Sequence, residues 1–216
     1  VPRCVEYMDN ASIRCAETYL SAGLPVDAGA ILILEVDGSE AEVDQAAARL
    51  VYICQTKGAD TVQMARSEAE RANLWKTRKA ISPALYQIAP DKINEDIVVP
   101  KNKIPAMVRR IEKLGRESGL TIASFGHAGD GNIHVNIMLD KKDEAQQKLA
   151  ETAVQALFDH TIELGGTLSG EHGIGITKAP YLDKEIGQVE MSLMQRIKTV
   201  FDPNGILNPG KIFPSS

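Results

Sequence analysis

Cysteine is scarce in this chain of 216 residues. Cys4, Cys15 and Cys54 are all there are, with no paired spacing. Neither a disulfide framework nor a thiolate zinc site is therefore expected, and a reducing compartment fits. Long apolar runs are also missing. The longest, around Ala28 to Val36, is strand-sized and contains Glu35, whereas a membrane-spanning helix needs about 18 consecutive apolar residues. No basic block occurs: 24 Lys+Arg against 29 Asp+Glu leave a net charge of −5, which argues against a nucleic-acid surface. There is no low-complexity tract and no internal repeat. An initiator Met and a leader pattern are absent too; the sequence opens on Val1-Pro2-Arg3 and reads as part of a longer protein. What is present is an ordinary globular mixture, 44% apolar and 25% charged, which excludes disorder and fibrous folds. The length suits one large domain or two small ones.

Strand-like and helix-like segments alternate without an obvious linker. The pattern predicts a helix over Asp9 to Leu20, closed by Ser21-Ala22-Gly23 and Pro25, and a strand over Gly29 to Val36. Ser39-x-x-Glu42 is a capping box, followed at helical spacing by Val43, Ala47, Leu50 and Cys54, so Cys54 is expected in a core. A short strand is expected over Thr61 to Ala65. The helix opened by Ser67-x-x-Glu70 should stop near Ser82, because Pro83 follows. Further along come a strand (Glu95 to Val99), a helix (Ile104 to Gly115) and two strands (Leu120 to Phe125, Ile133 to Leu139) about a glycine-rich turn. A long helix (Asp143 to Leu164) follows. Leu182, Ile186, Val189, Leu193, Ile197 and Val200 mark a final amphipathic helix before a turn-rich tail. The expected class is α+β: helices on a largely antiparallel sheet, built from ferredoxin-like units.

Three of only four histidines fall in two glycine-rich segments, Gly126 to Asn136 and Gly166 to Gly175. Parity along the strand after the first turn puts Ile133, Val135, Ile137 and Leu139 on one face and Asn132, His134, Asn136 and Met138 on the other. A hairpin would bring His127 near His134. Two imidazoles and a carboxylate are a common catalytic set for Zn²⁺, Mn²⁺ or Fe²⁺, with Glu171 the natural third member and its neighbour His172 left as a base. Histidines beside glycine turns also serve as plain hydrogen-bonding loop residues. Asp130 reads as a turn residue, His160 as a structural histidine at the edge of a core, and Lys141 to Glu144 as a solvated helix start. Arg78 lies three residues after Trp75 and four before Ser82 on one helix stripe. It is either an arginine stacked on the tryptophan or a clamp for a substrate carboxylate.

Three segments, Gly126-His-Ala-Gly-Asp-Gly-Asn-Ile-His-Val-Asn136, Gly170-Glu-His-Gly-Ile-Gly175 and Asp202-Pro-Asn-Gly-Ile-Leu-Asn-Pro-Gly-Lys211, resemble the signatures of the FAD-linked oxidase C-terminal domain. This is the substrate domain of vanillyl-alcohol oxidase-type flavoproteins, with glycolate oxidase, D-lactate dehydrogenase and D-2-hydroxyglutarate dehydrogenase as the nearest group. The resemblance covers nearly the whole chain. It implies that His127, His134 and Glu171 hold a divalent metal, zinc first, that Asn136, Arg78 and Ser82 meet the substrate, and that His172 is the base. Asn208 and Lys211 would approach the flavin. Some relatives carry a lysine for a distal carboxylate where this sequence has Asn94, with Lys92 two residues away.

The implied reaction is hydride transfer from a 2-hydroxyacid to FAD, with metal-assisted deprotonation of the hydroxyl. No complete dinucleotide site is legible, because the glycine segments do not open helices in a βαβ unit. Residues 1–216 are thus expected to form one substrate- and metal-binding domain, with the FAD domain outside them. The isolated chain is then expected to be inert. Other oxidase subunits are possible partners, and a cytoplasmic location, or one peripheral to a membrane through partners, is expected. The competing readings are a metal-dependent hydrolase and a non-catalytic module that keeps the fold. A carboxylate clamp beside the metal would speak against the first, and an intact ligand set against the second.

Overall fold

The computed structural model describes residues 1–213. Five strands form one antiparallel sheet: β1 (Cys4–Asp9), β2 (Ala30–Glu35), β3 (Asp91–Val98), β4 (Ile122–His127) and β5 (Asn132–Leu139), in the order β2-β1-β4-β5-β3. The helices are α1 (Asn10–Leu20), α2 (Glu40–Thr56), α3 (Glu68–Ala84), α4 (Ile104–Ser118), α5 (Glu144–Glu163) and α6 (Gln188–Phe201). The α+β class is as expected. In the run β3-α4-β4-β5-α5, Thr167 bridges Val98 where the fourth strand of a ferredoxin-like unit would lie.

Period-two patterning divides the sheet into two different faces. On one, Ile97, Ile133, Val135, Ile137 and Leu139 pack against Met107 and Ile111 of α4 and Val154, Leu157 and Phe158 of α5, all buried. On the other, Ile33, Met8, Phe125 and Met138 pack against Ile13 and Ala16 of α1 and Ile81 of α3. Fully burying a large apolar side chain is worth about 1.5–3 kcal/mol, so both layers hold the sheet between helices. Cross-strand register then carries polar residues from three neighbouring rows onto the second face. Glu6 stands opposite His127, His127 opposite Asn132, Asp96 opposite His134, and Asn94 opposite Asn136. They form a polar island at the end of the sheet where β4 turns into β5.

The helix ends obey local chemistry. The Asp9 carboxylate caps α1 by accepting from the Ser12 amide and also accepts from the Ser124 amide and hydroxyl, which pins α1 to β4. Asp143 caps α5 through the Ala145 and Gln146 amides. Gly119 closes α4 in the left-handed conformation.

Several expectations are corrected. Residues 61–65 form no strand; they belong to no helix or sheet and are largely exposed. Strand β1 lies where no element was expected, since its alternation is short and begins three residues into the chain. Strand β3 starts four residues early, at Asp91, because Lys92 and Asn94 continue the polar parity that Asp96 begins. Helix α3 runs through Pro83 to Ala84. Only the amide Pro83 lacks is lost, one residue from the end, and the next residues tighten into a 3₁₀ turn (Leu85–Gln87). The last helix is interrupted: Ala179–Lys184 is a 3₁₀ turn, and α6 begins only after Gly187. Cys54 is half-buried rather than core, because α2 contributes no buried residue. The three cysteines are free thiols, as their spacing implied.

The fold places the largest single packing debt on α5. Phe158 is fully buried and meets the Tyr181 ring edge-to-face at 4.9 Å. Phe158→Ala is expected to cost about 3–5 kcal/mol in a urea unfolding experiment; a loss below about 1 kcal/mol would contradict this packing.

Candidate active site and metal centre

The hairpin β4–β5 delivers both imidazoles. His127 ends β4 and His134 lies two positions into β5 on the same face, their rings 5.4 Å apart and edge-on. The turn between them needs glycine at one point: Gly131 has φ +93°, and a Cβ there would lie 2.1 Å from the Val99 carbonyl oxygen. Glu171 arrives from the second glycine-rich segment. Its carboxylate oxygens stand 3.6 Å from His127 Nε2 and 3.9 Å from His134 Nε2. One donor atom from each of the three residues lies within 4.8 Å of the others. Burial, and next the neighbouring His127, push the His134 imidazole below its ordinary range. It is therefore a neutral nitrogen base at neutral pH, the form a metal requires.

The loop that brings Glu171 is held by β3. Asp96 is fully buried. One of its oxygens accepts from the backbone N–H groups of Gly170 (2.9 Å), Glu171 (2.5 Å) and His172 (2.9 Å), and the other takes the Lys178 ammonium. Lys178, itself buried, also donates to the carbonyls of Asp96 and Leu168. Burial alone would raise the Asp96 carboxyl. The Lys178 hydrogen bond, then the amides of Glu171 and His172, outweigh it and hold the group at about 2. A Cβ at Gly170 would meet the side-chain Nδ2 of Asn132 at 2.0 Å, so any larger residue there displaces Asn132. His172 stacks on His134, centroids 5.4 Å and planes 21° apart, with its Nδ1 3.4 Å from Asp96 Oδ1. It stands beside the three clustered residues and outside them.

Arg78 comes from α3. Its guanidinium lies over the Phe125 ring at 4.6 Å rather than on Trp75, whose indole N–H donates to Glu35. Arg78 Nε donates to Glu6 Oε2 at 2.8 Å, and Glu6 Oε1 meets His127 Nδ1 at 2.5 Å. Asn136 is wholly buried. Its Oδ1 accepts from Asn94, while its Nδ2 has no partner among the described residues. Ser82 is on the same side, but its hydroxyl accepts from Lys92 Nζ at 2.8 Å. Burial lowers the Lys92 ammonium from its ordinary value. Asn208 and Lys211 lie apart from this cluster. They bond to each other and line a cleft of about 460 Å³ with Gly173, Gly175, Leu207 and Ile212.

Thus His127, His134, Glu171, His172, Arg78 and Asn136 share one side of the sheet, as expected. Three participants were not foreseen. Glu6 would have followed from strand parity had β1 been read. Asp96 and Lys178 carry no local signal, because their roles depend on a loop more than 70 residues away from β3.

The depressed Asp96 carboxyl links this loop to pH. Its folded value lies below the unfolded value near 3.8, so its contribution is present above about pH 4 and is lost as pH falls towards 2. Asp96→Asn should remove that acid-dependent loss from the metal-free protein, measured as unfolding free energy against pH. An unchanged slope between pH 4 and 2 would contradict the assignment.

Comparison with known proteins gives the family and the fold. The family profile described as FAD linked oxidases, C-terminal domain, matches residues 1–212. The glycolate oxidase subunit GlcD of Escherichia coli (strain K12) is 39% identical over 215 residues, covering 100% of this chain and 43% of that protein. A D-lactate dehydrogenase of Anaerostipes hadrus is 33% identical over 219 residues, covering 98% and 46%. The chain therefore spans less than half the length of these relatives. The solved 4-ethylphenol oxidase of Gulosibacter chungangensis, in its isoeugenol complex, shares the fold with a TM-score of 0.68 at 16% identity, covering 98% of this chain and 48% of that one. The chain belongs to the C-terminal domain family of FAD-linked oxidases.

Proposed function

We propose that residues 1–216 are the substrate- and metal-binding domain of an FAD-dependent oxidoreductase acting on small 2-hydroxyacids of the glycolate or D-lactate type. One observation carries the reading: two imidazoles and a carboxylate converge on the sheet face that also presents a buried guanidinium and an unpartnered amide N–H. That pairing suits a 2-hydroxyacid, which carries a carboxylate beside its hydroxyl.

The donor set fits a divalent metal. Two neutral nitrogens and one carboxylate leave open positions, the pattern of a catalytic zinc site, with manganese or iron(II) as alternatives. The cleft at Asn208 and Lys211 fits the edge of a flavin: a glycine backbone wall, apolar Leu207 and Ile212, and two lysines, Lys198 and Lys211. It does not enclose a whole dinucleotide, so the FAD belongs mainly to a domain outside these residues. When bound, the metal supplies Lewis acidity to the substrate hydroxyl, and the flavin accepts a hydride.

The chain's residues then have distinct tasks. The terminal N–H groups of Arg78 have no acceptor among the described residues, so they can take both oxygens of the substrate carboxylate and fix the molecule's orientation. Asn136 Nδ2 supplies a second, fixed donor. His172, with Asp96 on its Nδ1 side, takes the hydroxyl proton at Nε2 while the Cα hydrogen leaves with its electron pair, giving the 2-oxoacid. On β3, Asn94 is engaged by Asn136 and Lys92 by Ser82. Each keeps at least one further N–H beyond the bond it makes, two on Lys92 Nζ and one on Asn94 Nδ2. Free thiols agree with a cytoplasmic location, any membrane association coming through partner subunits. Among the described residues no helix is long and apolar enough to cross a membrane.

In the full-length flavoprotein, glycolate or D-lactate should drive dye reduction, and His134→Ala should abolish both bound metal and turnover. Equal metal content in the two proteins, by elemental analysis, would overturn the ligand set. The isolated 216-residue chain should be colourless and inert; turnover with added FAD alone would show that the flavin site lies within it.

A further inference from the structure

Glu6 is a buried carboxylate that bonds to both halves of the site. It projects from β1, opposite His127 across the β1–β4 ladder, and is 4% exposed. Its two oxygens are divided. Oε1 meets His127 Nδ1 at 2.5 Å, and Oε2 accepts from Arg78 Nε at 2.8 Å. Resting on the function proposed above, we infer that Glu6 is a positioning residue that couples the metal ligand His127 to the carboxylate clamp Arg78.

The chemistry requires a carboxylate. An imidazole that ligates through Nε2 must carry its proton on Nδ1, and an acceptor there fixes both the tautomer and the ring plane. An arginine held at Nε keeps its two terminal nitrogens for a planar anion. One side chain meets both demands only by presenting an acceptor in each direction. A glutamine cannot: its Oε1 accepts, but its amide nitrogen faces the other partner with a donor. An aspartate keeps the charge but is one methylene too short to reach both. Glu6 also neutralises a guanidinium whose side chain is only 13% exposed, so removing it would leave Arg78 buried and unpaired. Phe125 beneath the guanidinium leaves the ring face, not another anion, as the only remaining support among the described residues.

The test uses the full-length flavoprotein and two probes, Co²⁺ in place of the native metal and glycolate as substrate. Glu6→Gln and Glu6→Asp should weaken Co²⁺ binding by about 10–100-fold, followed through the visible cobalt spectrum. Each should also raise the KM for glycolate at saturating metal by tenfold or more. A plain loss of stability would move neither constant in the protein that remains folded. Wild-type Co²⁺ affinity and KM in either soluble variant would overturn the coupling while leaving the metal reading intact. A wild-type protein that binds no Co²⁺ at all would overturn both. Should neither variant be soluble, ¹⁵N histidine spectra of the Zn²⁺-loaded wild type decide: a proton on His127 Nδ1 is expected, and one on Nε2 would contradict the assignment.

Discussion

The site depends on a buried carboxylate in the middle of β3. Asp96 collects three successive backbone N–H groups and a lysine ammonium, and that convergence is what turns a glycine-rich loop into a fixed wall. Without it, Glu171 and His172 would sit on a mobile segment, since their side chains are exposed and make few other contacts. An isolated buried anion is costly. Here four donors and a full positive charge on Lys178 answer it, so the expense of burial is converted into the position of a loop. The same arrangement sets the direction in which the glutamate must approach the two histidines.

The sheet performs a second ordering. Because antiparallel register pairs residues on one face, a row such as Glu6, His127 and Asn132 or Asp96, His134 and Phe125 is fixed by hydrogen bonds far from the chemistry. The apolar layer beneath α1 and α3 abuts the polar rows, and Arg78 reaches them by lying over Phe125. A functional group on a strand is held more rigidly than one on a loop. The division is visible here: the proposed ligands His127 and His134 and the amide of Asn136 come from strands, while Glu171 and His172, the proposed third ligand and base, come from the loop that Asp96 restrains.

Much of this was legible in the residues. Alternation from Asn132 to Leu139 separated the core face from the chemical face, and two glycine-rich segments located the histidines. The spacing of Arg78 put it on the inward stripe of its helix, although the ring it lies against proved to be Phe125, distant in sequence, and not the adjacent Trp75. The rest was hidden because it is tertiary. Strand β1 lacks the continuous apolar run that marks β2, yet it supplies Glu6. Residues 61–65 have strand-like composition but no neighbouring edge to pair with. The apolar stripe of α6 does mark a helix, but Val189, Leu193, Ile197 and Val200 stay exposed in this chain.

The most direct measurement is X-ray absorption at the zinc edge on Zn²⁺-loaded full-length protein. The account predicts a first shell of two imidazole nitrogens at about 2.0–2.1 Å with the remaining positions filled by oxygen, and loss of half the imidazole signal in His127→Ala. A shell without imidazole scattering, or one that His127→Ala leaves unchanged, would contradict it.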